Sequence, residues 1–217
     1  MFKKKYNNGV IHLDRNGLTL YFGPEIKPFD FKFNGTTVKN QEIIEPELFG
    51  SQLREFVEAT GIKSLDCIIV LSDGLVYTKE IVSDEVSKEE TERIEFIDKI
   101  PFDNAKIISK KVQLSEKSFF IATNKGLYKS IMNILKIYDW KVLSVIPEPF
   151  LSDGKLLVLD PSSVVKKRGD FSEYDFLSHE NTERREKRSK KTLILVLLSI
   201  QVIIIILIIL QRFKILG

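Results

Sequence analysis

The sequence is poor in the residues that carry most enzyme chemistry. Its 217 residues include one cysteine and two histidines. The single cysteine, Cys67, excludes an intramolecular disulfide framework and suits a reducing compartment. His12 and His179 lie far apart, and neither has a second ligand at metal-binding spacing. The P-loop, G-x-G-x-x-G and G-x-S-x-G motifs are also missing. These absences predict a chain that is not an enzyme, with no catalytic residues, no metal site, no cofactor and no small-molecule substrate.

A surplus of basic charge is missing from most of the chain. Residues 1–150 hold 21 basic and 22 acidic residues, a net charge of −1. Because nucleic-acid binding needs basic charge gathered on one face, we expect no nucleic-acid partner. Acidic residues concentrate at 84–95, where they could bind a metal. Acids near a helix N-terminus are also favoured by the helix dipole, so we interpret this run as a solvated helix face.

The only long apolar run lies close to the C-terminal end. Residues 192–210 read TLILVLLSIQVIIIILIIL and carry no charge. At about 1.5 Å per residue, a helix of this length crosses a hydrocarbon core of ~30 Å. A buried core helix is the alternative, but such helices are rarely apolar on every side. Within the run, Gln201 either bonds a second helix, which implies self-association, or is a tolerated polar residue.

The charges that flank this run predict its orientation. Only Arg212 and Lys214 follow it, whereas six basic residues precede it: Arg184, Arg185, Lys187, Arg188, Lys190 and Lys191. This asymmetry places the N-terminal side in the cytoplasm, and the six cations would meet anionic lipid headgroups. No apolar run follows the basic start of the chain, so we expect no signal peptide. We therefore expect a single-pass protein of the inner (cytoplasmic) membrane.

The composition divides the chain into four parts. We expect a cytoplasmic domain at residues 1–150 and a partly disordered juxtamembrane linker at 151–191, basic at its end. The transmembrane helix at 192–210 and a short tail outside at 211–217 complete the chain.

Residues 1–150 predict a mixed α/β sheet with helices packed on it. The pairs Asn16-Gly17 and Asp73-Gly74 predict two hairpins, the first with a type I′ turn. The predicted strands are residues 10–13, 18–22, 67–71, 75–82, 106–114, 118–122 and 140–146, and the predicted helices are 46–60, 87–100 and 125–138.

Two of these helices carry specific signals. Proline in the first turn and Gly61 after the last turn bound the helix at 46–60. Ser87 and Glu90 form a capping box at the start of the helix at 87–100, whose buried face we assign to Ile94 and Ile97.

The segment SKEETERIEFIDKIPFDNAKI resembles the PilM-type actin-like proteins of type IV pilus assembly. In that family an acidic helix runs into an Ile-Pro-Phe turn, here Ile100-Pro101-Phe102. Residues 119–150 continue the resemblance and end in a Glu-Pro-Phe turn, here Glu148-Pro149-Phe150. The resemblance covers roughly residues 10–150 and implies half of an actin-like (ribonuclease H-like) fold.

The chain departs from this family where the family binds phosphate. The family's first hairpin has the form Asp-Ile-Gly-Ser-Ser-Ser, whereas this chain places His12 and Asp14 at the first acidic and the glycine positions. A carboxylate there repels a phosphate, and its side chain blocks close approach of the backbone. The second half of the actin-like fold is also missing, so we expect no ATP binding.

The tail resembles PilN-type proteins, in which a short segment docks on the PilM-type partner before a basic stretch and one membrane span. Asp175, Phe176, Leu177 and Ser178 occupy the equivalent place, without the usual proline. The resemblance implies that Phe176 and Leu177 bind a groove on their own domain or on a second copy; an ordinary disordered linker is the alternative. The layout is also similar to GspL proteins of type II secretion.

Together these features predict a membrane-anchored, non-enzymatic scaffold in the assembly platform of a type IV pilus or related secretion machine. Its partners would be other platform proteins and the lipid bilayer. Two other functions remain open: an actin-like nucleotide-binding switch protein, and a generic membrane-anchored adaptor unrelated to pili.

Overall fold

The computed structural model describes residues 8–22, 27–82, 86–114, 116–151 and 161–178. No helix within these ranges has the length and apolar character needed to cross a bilayer. The predicted membrane span, the six basic residues before it and Gln201 lie outside the described residues. All the described residues belong to one compact unit, which extends to Ser178 rather than ending at the expected boundary of residue 150.

The elements of this unit follow a mixed order. Along the chain they are β1 (Asn8–Leu13), β2 (Gly17–Phe22), β3 (Lys27–Lys32), β4 (Val38–Lys39), β5 (Glu42–Ile43), α1 (Pro46–Thr60), β6 (Leu65–Leu71), β7 (Val76–Glu80), α2 (Val86–Asp98), β8 (Ile107–Leu114), β9 (Lys117–Asn124), α3 (Lys125–Ile137), β10 (Trp140–Pro147) and α4 (Pro161–Lys166). The predicted mixed α/β sheet with helices is confirmed.

Two sheets carry most of these strands. Sheet 1 has the order β10-β6-β1-β2-β3, in which β1, β6 and β10 are parallel and β2 is antiparallel to both of its neighbours. Sheet 2 has the antiparallel order β7-β9-β8. Strands β4 and β5 form a small separate hairpin, whose turn residues Asn40 and Gln41 both have positive φ.

Sheet 1 is buried on both faces at its centre. Alternate residues of a strand point to opposite faces, and the buried residues of β1, β6 and β10 divide accordingly between two clusters. Ile11, Ile69 and Val145 pack with α1 and α3. Val10, Ile68 and Ile146 pack with α4 and the residues that follow it. This arrangement accounts for the non-alternating strand CIIVL, and within it Cys67 is fully buried, which raises the pKa of its thiol.

Both predicted hairpins need correction. The first hairpin exists, but residues 14–17 lack the positive φ that a type I′ turn requires. Gly17 is needed because a Cβ there would collide with the carbonyl oxygen of Phe31 on β3. The second is not a hairpin, since β6 pairs with β1 and β10 whereas β7 pairs with β9. The 3-10 turn Asp73–Leu75 instead carries the chain from sheet 1 to sheet 2.

The helix predictions are correct in position but not in every contact. Helix α1 has the predicted bounds and ends at Gly61 in the left-handed conformation. Helix α2 begins at Val86, one residue before Ser87, whose side chain is outside the description. Among its described side chains Phe96 is buried and stacks on Phe120. Of the two residues expected to be buried, Ile97 packs partly buried against the same cluster, whereas Ile94 is about half exposed.

Candidate docking site

Residues 161–178, which we call the covering segment, close the second face of sheet 1. Val164, Val165 and Phe171 are each less than a tenth exposed and pack against the central strands β1 and β6. Burying an apolar side chain of this size contributes about 1.5–3 kcal/mol. The covering segment is therefore part of the core of this unit, although the sequence predicted a linker there.

The last part of the covering segment, residues 171–178, spans the outer edges of two sheets. Strand β10 is at the edge of sheet 1 and β8 is at the edge of sheet 2. The backbone N–H of Val145 on β10 donates to Asp175 Oδ1 at 2.9 Å. The N–H of Gln113 on β8 donates to Glu173 Oε1 at 2.8 Å. Because unpaired edge groups invite pairing with other chains, these side chains satisfy groups that would otherwise be open.

Asp175 is the polar centre of this contact. Its Oδ1 also accepts from the N–H of Leu177 at 2.9 Å, and its backbone oxygen accepts from Lys110 Nζ at 3.2 Å. Burial raises the pKa of Asp175, although the hydrogen bonds from Val145, Leu177 and Ser144 oppose that change. Burial likewise lowers the pKa of Lys110. Asp175 is only 7% exposed, so its carboxylate is largely removed from water.

Phe176 is the apolar centre of the contact. Its side chain is fully buried in the cluster that also contains α1, α3 and the inner face of sheet 1. Leu177 packs partly buried against the same cluster, and Ser178 Oγ donates to the backbone oxygen of Asp175 at 2.7 Å. The structure thus seats these four residues on their own domain. Whether they serve as a docking element for another protein stays a prediction.

The Glu-Pro-Phe turn contacts this site. Phe150 stacks on Tyr174 of the covering segment, with ring centroids 5.3 Å apart, and meets Phe119 of β9 edge-to-face. Glu148 Oε2 lies 3.1 Å from His12 Nε2, so this contact joins the carboxyl end of β1 to the turn that follows β10. Pro149 is exposed. The turn therefore links both sheets to the covering segment.

The Ile-Pro-Phe turn is remote from this contact. Ile100 is buried beside α2 and sheet 2, Pro101 is exposed, and Phe102 packs edge-to-face on Tyr77. This turn ends α2 and holds it against sheet 2, which is a structural role within the described residues.

The β1–β2 turn is closed by its own side chain. Asp14 Oδ1 accepts from the backbone N–H groups of Asn16 and Gly17 at 2.6 and 2.9 Å. Arg15 Nε donates to the carbonyl oxygen of Gly74 at 2.7 Å, and Gln41 Nε2 donates to the same oxygen at 3.1 Å. The amides that a phosphate would need are therefore already bonded within the turn.

Other sites for ligands are weak in the described part of the chain. No group of three or more His, Cys, Asp or Glu side chains there could hold a metal ion. An open cavity of about 190 Å³ lies between the β4–β5 hairpin and the start of α3. Lys106 and Glu42, which both line it, pair with each other at 2.7 Å.

Several residues of the docking site were missed by sequence reasoning, among them Tyr174, Lys110 and Gln113. These three bind residues that are about 24 to 65 positions away, and no local pattern marks such contacts. The one usable signal was the aromatic side chains Phe171, Tyr174 and Phe176 in a segment otherwise rich in charge, because isolated aromatic residues in a linker favour burial.

No family model matches the chain, and no curated protein matches it. Solved structures with a similar fold include a PilM–PilN type IV pilus biogenesis complex, with 15% identity and a TM-score of 0.43 over 67% of this chain and 48% of that one. The cytoplasmic domain of EpsL, an inner membrane component of the type II secretion system of Vibrio cholerae, has 11% identity and a TM-score of 0.40 over 64% of this chain and 56% of that one.

A third similar structure is a protein of unknown function with an actin-like ATPase fold from Bacteroides thetaiotaomicron. It has 10% identity and a TM-score of 0.39 over 69% of this chain and 56% of that one. The chain thus spans about half the length of the solved structures it matches. At these scores they assign this chain to no family.

Proposed function

We propose that this chain is a membrane-anchored, non-enzymatic scaffold in the inner-membrane assembly platform of a type IV pilus or related secretion machine. The observation that carries the proposal is the covering segment. It ends at Ser178, with 13 residues between it and the apolar run at 192–210, and its last residues bind the edges of both sheets. In this proposal the domain carries its own docking element, and the element leads directly into the anchor.

The topology of sheet 1 supports an actin-like origin. Counting only its own strands, the order is 3-2-1-4-5, with the second strand antiparallel to the others. The resemblance implies half of an actin-like (ribonuclease H-like) fold, and a mixed sheet of this kind is compatible with it. Together with the Ile-Pro-Phe and Glu-Pro-Phe turns, this topology favours the PilM-type resemblance.

The geometry of the β1–β2 turn favours a scaffold over a nucleotide-binding switch. A phosphate at this turn would have to displace Asp14 from two backbone amides and would face its negative charge. We therefore expect no ATP binding in equilibrium dialysis with millimolar ATP and Mg²⁺. Binding there that is abolished by a change at the β1–β2 turn would favour the switch.

Crosslinking of the full chain in native membranes, read by mass spectrometry, tests the scaffold role. We expect the chain in the membrane pellet, with crosslinks from the described domain to other platform proteins. Recovery in the supernatant after high-speed centrifugation would contradict the anchor. Crosslinks to proteins unrelated to pili or secretion would instead favour a generic adaptor.

A further inference from the structure

Three consecutive basic residues lie on the surface of the covering segment. Lys166, Lys167 and Arg168 are all exposed, and we call them the basic face. Val165 before them and Phe171 after them are buried, and a 3-10 turn, Lys167–Phe171, connects the two. The folded domain therefore holds these charges in fixed places on its surface, unlike charges on a free tether.

The basic face has no protein partner within the described ranges. None of its three side chains makes an ion pair or hydrogen bond with another described residue. Three other lysines of the same domain do have an ion pair: Lys106, Lys111 and Lys117 each lie 2.7–2.9 Å from a glutamate. The charge of the basic face is therefore available to a ligand outside the domain.

Two acidic residues follow the basic face and limit its charge. With Asp170 and Glu173 included, residues 166–173 carry three positive and two negative charges, a net of +1. Glu173 already accepts the N–H of Gln113, so its carboxylate is held toward β8. A ligand that binds this face must therefore be anionic. Because the net charge of the face is only +1, the electrostatic attraction between face and ligand is weak.

A bilayer next to the domain meets this condition. Only 13 residues separate Ser178 from the predicted membrane span. Fully extended, they reach about 45 Å, and tethering within such a distance makes even weak surface attraction effective. Anionic headgroups attract basic residues near the surface over about one Debye length.

We propose that Lys166, Lys167 and Arg168 bind the anionic headgroups of the membrane in which the chain is anchored. This inference rests on the proposed anchor. It adds a second membrane contact on the folded domain. This contact precedes the basic cluster at 184–191 in the sequence. The contact would turn the face of sheet 1 that the covering segment closes toward the lipid surface.

A label at Gly169 can test the contact in the full chain. A Cβ at Gly169 meets no atom within 4 Å, so Gly169→Cys adds a side chain without strain. The native thiol, Cys67, is fully buried with a raised pKa and will not compete for a thiol-reactive fluorophore. Gly35→Cys is the matched control, because Gly35 is also exposed with open space around its Cα.

The labelled chains are reconstituted into nanodiscs of phosphatidylcholine alone or of a mixture rich in phosphatidylglycerol, each with a headgroup-linked quencher. With a net charge of +1 at the face, we expect contact at Gly169 to be about fivefold more populated in the anionic discs. High salt should remove the difference because it screens the charges. The variant Lys166→Gln/Lys167→Gln/Arg168→Gln should remove it too, and the label at Gly35 should show none.

Each outcome separates the two proposals. Equal quenching at Gly169 in both lipids, or quenching that the triple variant leaves unchanged, overturns the lipid contact alone. A chain that enters neither kind of disc overturns the anchor and this inference with it. If quenching is equal but the triple variant loses crosslinks to a platform protein, the face binds an acidic protein and not lipid.

Discussion

The two faces of sheet 1 are closed in different ways. One face is covered by α1 and α3, long helices that lie between strands of the same unit and bury large aromatic side chains such as Phe49 and Tyr128. The other is covered by the short helix α4 and the turn after it. The first face is closed by long elements that connect strands, whereas the second is closed by residues 161–178, which follow the last strand of the domain. Such a segment can detach without disrupting a strand.

Phe49→Ala should cause the largest loss of stability, because it opens a cavity under the face of sheet 1 that α1 and α3 cover. Phe49 is 1% exposed, and truncating a buried phenylalanine costs about 3–5 kcal/mol. Urea unfolding of the full chain in detergent, followed through the single tryptophan, Trp140, measures this loss. The neighbouring Leu48 is 46% exposed, so Leu48→Ala should change the midpoint little. Similar losses in both variants would contradict the proposed core.

Phe171→Ala should loosen the second face only, because Phe171 packs in the cluster of that face. The cavity left by this ring, which is 7% exposed, costs about 3 kcal/mol and appears as local opening of residues 171–178. Hydrogen exchange should then accelerate about a hundredfold at the amides of Val145 and Gln113, with α1 unchanged. Ser172→Ala is the control, because the Ser172 side chain is exposed. If α1 exchanges faster too, the two faces form one cooperative unit and the contrast fails.

Arg15→Gln should have a smaller effect that both faces share. Arg15 Nε is one of two donors to the Gly74 oxygen, in the turn that joins the two sheets. Loss of one such bond costs about 1 kcal/mol. We expect a modest fall in the urea midpoint and equal increases in exchange in α1 and the covering segment. Lys39→Gln, at an exposed residue of the β4–β5 hairpin, should leave both unchanged; an effect confined to one face would show that the turn does not couple them.

Asp175→Asn should give the smallest effect of the four variants, and this effect should grow from acidic to neutral pH. Because burial raises the pKa of Asp175, the folded domain binds a proton more tightly than the unfolded chain. The stability from this group is fully present below its ordinary pKa and is lost as the pH rises through the raised value. The amide side chain of the variant keeps an oxygen acceptor but does not titrate. Hydrogen exchange at Val145, compared between the two proteins at each pH, should therefore differ least in acid, where Asp175 is protonated and resembles the neutral amide, and more near neutral pH; a constant difference would contradict the raised pKa.

Local patterns predicted the first face well. Pro46, the apolar spacing of Phe49, Leu53 and Val57, and Gly61 fix α1 to the residue, because each signal acts within one turn of the helix. The same reasoning chose Ile94 over Phe96 in α2, since helical spacing cannot tell which of two apolar stripes meets the sheet. Strand β3 was not predicted, although Phe29 and Phe31 alternate within it; it contains Pro28, a residue that is uncommon inside strands.

The position of the last residues of the covering segment could not be predicted from the same signals. The sequence resemblance marked residues 175–178 as a candidate docking element, but left open whether they bind anything. Their position depends on hydrogen bonds from Val145, Gln113 and Lys110, which lie on two strands of different sheets. The relative position of two sheets is set by the whole fold, so no pattern within the segment specifies it.

The position of Asp175 and Phe176 has a mechanical consequence. Any pull on the chain beyond Ser178 enters the domain at the last residues of the covering segment, where the bonds to Val145 and Gln113 are among the first to bear the load. Such bonds, loaded one after another, yield at lower force than a ladder of strands sheared together. We therefore expect tension along the tail to detach residues 171–178 first, while the strands of sheet 1 stay paired. This detachment would expose the outer edges of β10 and β8 before the domain unfolds.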